Sequence, residues 1–151
     1  MKKVIDGVGY DTKKAIFLGQ VSSGFSKEDI RWSVTELYRT RSGNYFLHGY
    51  GGPGSPYAVW DNESDAHIHG EAIIPTTLYD VIVWAEEYLP DDKLKSVIKD
   101  IHQEAKRQNI DITANLKAAS QKLTLRERKA RRAAVQAKEA AKRTERIYID
   151  W

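Results

Sequence analysis

Apolar and polar positions change rhythm near residue 75, from strand-like alternation before it to helical spacing after it. Val4-Ile5 and Val8-Gly9-Tyr10 flank Asp6-Gly7, a pair that tolerates the positive φ angles of a type I′ turn, so the chain is expected to open on a hairpin. Thr12 stands where it can cap a short helix through Ala15, Ile16 and Leu18, which Gly19 would end. From Ile30 the alternation is plain: Ile30, Trp32, Val34, Glu36 and Tyr38 share one face, and Arg31, Ser33, Thr35, Leu37 and Arg39 the other. Arg41-Ser42-Gly43-Asn44 supplies a turn, and Tyr45-Phe46-Leu47-His48 returns as the second strand of a hairpin. Gly49 through Pro56 reads as a loop. Tyr57-Ala58-Val59-Trp60 and Ala72-Ile73-Ile74 read as further strands, separated by a polar loop.

After Pro75, Thr77 and Asp80 form a variant of the capping box. Leu78, Val81, Ile82, Ala85 and Leu89 then follow at helical spacing, and Pro90-Asp91-Asp92 punctuates the chain. Leu94, Val97, Ile98, Ile101 and Ala105 mark a second amphipathic helix. Ile110 to Ser120 is ambiguous, with a short helix containing Leu116 as one reading. Thr124 and Glu127 resemble another capping box, opening a run to about Arg146 in good helix formers. Its apolar stripe is thin, made of Ala130, Ala134, Ala137 and Ala141. Ile147-Tyr148-Ile149-Asp150-Trp151 alternates like a strand, and there are no internal repeats.

Charge sharpens this division. Residues 1–90 carry eight Lys/Arg against twelve Asp/Glu, while residues 91–151 carry sixteen against nine, so the net +3 hides an acidic body and a basic tail. Such asymmetry predicts an anionic partner for the tail, or a tail resting on the body. With 151 residues, 41% hydrophobic and 30% charged, there is room for one core and a solvated appendage. The absence of cysteine removes disulfides, thiolate catalysis and Cys-ligated zinc. The N-terminal residues lack a signal-peptide apolar run, and no stretch has the length of a membrane span, so a soluble, cytoplasmic protein is expected.

A set of motifs resembles a known family. Ile5-Asp6-Gly7, Tyr10-Asp11-Thr12, Glu36-Leu37-Tyr38-Arg39-Thr40, Gly43-Asn44-Tyr45-Phe46-Leu47-His48-Gly49, Gly51-Gly52-Pro53 and Ile73-Ile74-Pro75 with the helix bearing Trp84 are similar to a small N-terminal domain. That domain occurs in accessory proteins of Gram-positive phages, plasmids and other mobile elements, and the likeness covers about residues 1–90. Val8-Gly9 stands where the usual pattern has a basic pair. Several proteins with such a domain are anti-CRISPRs that block type II RNA-guided nucleases. The resemblance thus implies binding to a type II CRISPR nuclease, or to its guide RNA or target DNA, in a bacterial host cell.

The residues offer one strong physical signal. Between Lys122 and Arg146 stand ten Lys/Arg and three Glu. Arg126, Arg128, Lys129, Arg131, Arg132, Lys138, Lys142 and Arg143 are candidate contacts to nucleic acid or to an acidic protein. A rigid helix spaces guanidinium groups along a phosphate backbone, although a solvated helix with internal pairs such as Glu139–Arg143 would look the same. His67 and His69 would share a strand face near Asp61, Glu63 and Asp65, but lack a third histidine for zinc, so no metal is expected. His48 is expected to satisfy a sheet-edge hydrogen bond. Gly49–Gly54 lacks the Gly-Lys-Ser/Thr ending of a phosphate loop, and Ser22, Ser23 and Ser55 lack a nucleophile-elbow context. Among the dense aromatics, Trp32 and Phe46 are expected in the core, and one or two of Tyr45, Tyr50 and Trp60 at a protein interface.

Together these readings predict an α+β protein: a small, mainly antiparallel sheet with packed helices, followed by a long basic C-terminal helix. Residues 1–90 are expected to form a compact domain, 91–120 a helical connector and 121–151 a basic arm with a short strand-like end. The expected function is non-enzymatic, cofactor-free inhibition of a type II RNA-guided nuclease. The alternative is a nucleic-acid-binding accessory protein with no nuclease target. An enzyme, for example a nuclease acting on guide RNA, lacks any acid/base constellation in its favour, and the oligomeric state is not set by these patterns.

Overall fold

The structure, a computed structural model, describes residues 1–149, with side chains through Thr144. Eight strands precede three helices: β1 (Lys2–Ile5), β2 (Val8–Asp11), β3 (Ile16–Ser23), β4 (Ser33–Arg39), β5 (Tyr45–Gly51), β6 (Val59–Asp61), β7 (Ala66–Ile68), β8 (Gly70–Thr76), α1 (Leu78–Tyr88), α2 (Asp91–Arg107) and α3 (Thr113–Ile149). The α+β class is as the pattern predicts. A four-stranded antiparallel sheet, ordered β3-β4-β5-β8, is accompanied by the hairpins β1–β2 and β6–β7. The first hairpin turns at Asp6 and Gly7, with φ of 50° and 76°, as its sequence requires.

Several local expectations are corrected. Residues 16–23 form a strand rather than the tail of a short helix, because Ile16, Phe17 and Val21 pair along β4. Thr12 instead accepts a 2.9 Å hydrogen bond from the Met1 amino group and donates to the Met1 carbonyl. β4 begins at Ser33, leaving Ile30–Trp32 in the preceding loop. β5 runs on through Gly51, so the expected glycine loop begins only at Gly52. Gly49 is required there, since a Cβ would overlap the Tyr57 ring that lies across it. The polar loop after Asp61 is the β6–β7 turn, with Asp65 at positive φ.

The sheet has two unlike faces. Leu37, Tyr45 and Leu47 face the helices and pack with Val81, Ile82, Ala85 and Leu89 of α1 and its C-terminal cap. Thr77 caps α1, accepting from the Asp80 amide at 3.1 Å. The core does not stop at Pro90: Leu94, Val97 and Ile101 of α2 are fully buried in the same cluster, and Leu116, Ala119 and Leu123 of α3 are buried in it as well. Residues 91–120 therefore contribute core rather than serving only as connector. Arg39 grips Asp100 of α2 through Nε and Nη2 at 2.9 and 3.0 Å, and Tyr45 donates to the same carboxylate at 2.6 Å. A bidentate pair of this kind fixes both register and orientation of the helix on the sheet. The opposite face carries Phe46 and Ile73, covered at one end by Tyr10 and other residues of the first hairpin.

α1 runs away from the β4–β5 turn, α2 returns toward it, and α3 runs out again. Gln108 reaches the Gly43 carbonyl at the turn, whereas Lys122 and Arg126 lie beside Glu86 near the end of α1. α3 is a single helix. Thr124 does not open it but donates to the Ser120 carbonyl one turn back. The strand-like pattern at Ile147–Ile149 lies on this helix, and Asp150 and Trp151 fall outside the described residues.

Candidate nucleic-acid interface

α3 has two regimes. Through Glu127 it is tied to the body: Lys122 pairs with Glu86 at 2.7 Å, Arg126 donates to the Glu86 carbonyl at 2.5 Å, and Lys95 pairs with Glu127. The Lys95 ammonium also holds the Glu127 carboxyl below its ordinary range. From Arg128 to Thr144 every residue is exposed. At 1.5 Å per residue this is an arm of about 25 Å, the length of about seven phosphates along one strand.

The expected basic residues divide accordingly. Arg126 is an anchor, not a free contact. Arg128, Lys129, Arg131, Arg132, Lys138, Lys142 and Arg143 are exposed and form no ion pair among the described residues. On a helical projection all but Lys129 fall within an arc of about 140°, with Ala130, Ala133, Ala134, Ala137, Ala140 and Ala141 behind them. The internal pair Glu139–Arg143 does not form, which leaves the guanidinium group available to an external anion. Chemically, such a stripe can neutralise phosphates and order a backbone beside it.

The second site lies on the uncovered end of the sheet's other face. Register places Glu36 of β4, His48 of β5 and Ile73 of β8 in one row, with Glu71 two residues away. His48, buried in an interior strand, makes no sheet-edge bond. Its Nδ1 lies 2.9 Å from Glu36 and its Nε2 3.0 Å from Glu71. Tyr38 donates to Glu36 at 3.0 Å; burial, and then that carboxylate, push its phenol up to about 12. Tyr50 is raised by the same two causes in the same order. With both ring nitrogens engaged, His48 is poorly placed to act as a base toward a substrate.

The aromatic expectations are redistributed. Tyr45 is 2% exposed and belongs to the core network with Asp100, so it is no interface residue. Trp32 is only half-buried and stands edge-to-face with Tyr50, whereas Phe46 is fully buried as expected. Trp60 is 53% exposed and packs on His67 across the β6–β7 hairpin. Among the described residues no group of three or more His, Asp or Glu is placed to hold a metal, and no helix is long and apolar enough to cross a membrane. Glu36, His48 and Glu71 were not singled out as a group by the sequence. The one hint was a charged residue amid the otherwise apolar alternation of Trp32, Val34 and Tyr38. Compared with known proteins, the chain matches no family model, no curated protein and no solved structure.

Proposed function

We propose that this protein is a non-catalytic binding protein whose basic arm grips a nucleic-acid backbone. Its target is the guide RNA or target DNA of a type II RNA-guided nuclease, which it blocks by occupancy in the bacterial cytoplasm. The observation that carries the first part is the exposed stripe Arg128, Arg131, Arg132, Lys138, Lys142 and Arg143, without ion pairs among the described residues, on a helix anchored at one end. The resemblance of residues 1–90 to mobile-element accessory domains supports the second. An enzyme of that kind holds its heteroduplex in a positively charged channel and recognises its backbone, so a competing cationic helix has phosphate to bind.

The test is a pair of assays on the folded chain. Binding to short RNA and DNA should be salt-sensitive, and replacing Arg128, Arg131, Arg132 and Lys138 by Gln should lower the salt slope by about three. In a cleavage assay over a panel of type II nucleases from Gram-positive hosts, inhibition should saturate near stoichiometric ratios and fall in that variant. Nucleic-acid binding with no inhibition across the panel leaves the accessory-protein reading. Absence of binding at low salt removes both.

A further inference from the structure

Beyond the arm, the molecule has a cleft at the end of the sheet where Ser33, Gly51 and Gly70 lie side by side. It has a volume of about 540 Å³, and Trp32, Tyr50, Val59, His69 and Glu71 form its walls. The Trp32 and Tyr50 rings meet edge-to-face, 5.8 Å apart at 66°. Glu71 is half exposed at the rim. One of its oxygens is held by His48 at 3.0 Å, and its other oxygen has no hydrogen-bond partner among the described residues. No lysine or arginine lines the cleft. Asp61, Glu63 and Asp65 lie toward the tip of the adjoining β6–β7 hairpin, outside the cleft's walls. The chain's own Lys27 places its ammonium 5.7 Å from the centre of the Trp32 ring.

We propose that this cleft binds an arginine side chain displayed by a partner protein. A guanidinium is planar and weakly hydrated, stacks on aromatic faces, and donates charged hydrogen bonds to a carboxylate, which suits Trp32, Tyr50 and the free oxygen of Glu71. Lys27 shows that the Trp32 ring already takes a cation from one side. A nucleobase would find rings to stack on, but stacking platforms for single strands lie in positive grooves, and the walls of this cleft carry a carboxylate and no lysine or arginine. An apolar guest would make no use of the half-exposed Glu71 carboxylate oxygen that His48 leaves free. The arm and the cleft leave the body at the same end on opposite faces of the sheet. A partner displaying both phosphate and arginine would meet both.

The cleft's binding goes beyond the arm's reading and is tested without any nuclease. The full chain is titrated by calorimetry with a capped Gly-Arg-Gly peptide, with its lysine counterpart and with its neutral citrulline counterpart. The arginine peptide should bind, the lysine peptide several-fold more weakly, and the citrulline peptide not measurably. Glu71→Gln, which keeps a hydrogen-bonding partner beside His48 and whose fold is checked by circular dichroism, should weaken the arginine peptide about tenfold, the loss of one charged hydrogen bond. Trp32→Leu should weaken it as well, and Trp60→Ala should not. No binding of the arginine peptide, equal binding of the citrulline peptide, or indifference to both Glu71→Gln and Trp32→Leu overturns the proposal. So does an oligonucleotide that binds the chain lacking the four arm charges and is lost on Trp32→Leu, which would make the cleft a base-stacking site.

Discussion

α2 and the outer part of α3 are helices of similar length with different sources of stability. α2 buries Leu94, Val97, Ile101 and Ala105 on one stripe. The segment from Arg128 to Thr144 buries nothing, and its largest apolar residue, Val135, is 56% exposed. Isolated helices of that length are marginal in water, so the outer segment depends on alanine-rich propensity and on continuation from an already formed, anchored helix. The difference teaches that the body of this protein ends near Glu127, not near Pro90. It also leaves the arm's side chains uncommitted to packing and available to a partner.

The strongest way to break the comparison is to remove α2's contribution. Leu94→Ala should destabilise the protein by about 2–5 kcal/mol, because the fully buried site cannot refill the cavity. The fragment 1–90 should lack a cooperative thermal transition, whereas 1–127 should keep one. A cooperative transition for 1–90 would show that α2 and α3 cover a core complete without them.

Next comes the arm itself. Ala137→Pro should interrupt the exposed helix, at a local cost of about 3 kcal/mol, and reduce helical circular dichroism without moving the thermal transition of the body. It should also weaken nucleic-acid binding by splitting the basic stripe. A lowered transition would mean that the arm is coupled to the core.

Much of this architecture was legible because it is local. The Asp6-Gly7 turn, the β4–β5 hairpin and the helical periods of α1 and α2 are each written in a few neighbouring residues. What was misread depended on distant pairing. Residues 16–18 look like a capped helix until β4 takes them as a partner, and Thr124 looks like a cap until the helix is already formed before it. The arm's charges were visible from composition, although Arg126's anchoring was not. The acidic-aromatic site was invisible, because His48 meets partners 12 and 23 residues away and only strand register brings them together.

The smallest expected effect locates the junction between the two regimes. Lys122 and Glu86 form a side-chain pair shortly before the point where α3 leaves the body, with the lysine 62% exposed and the Glu86 side chain 14% exposed. Pairs with an exposed partner contribute little, so Glu86→Gln should lower stability by about 1 kcal/mol at low salt, well below the cost of Leu94→Ala. At about 1 M salt, where screening acts over about 3 Å, the difference between variant and wild type should shrink toward zero. Arg126 would still donate to the Glu86 carbonyl, which the substitution does not touch, and Lys95 would still hold Glu127. The helix should therefore stay seated, with the arm's affinity for nucleic acid unchanged. Thermal denaturation of both proteins at two salt concentrations checks this. A loss as large as that of Leu94→Ala, or one that persists in high salt, would mean that Glu86 is part of the packed core and that the body extends further along α3 than Glu127.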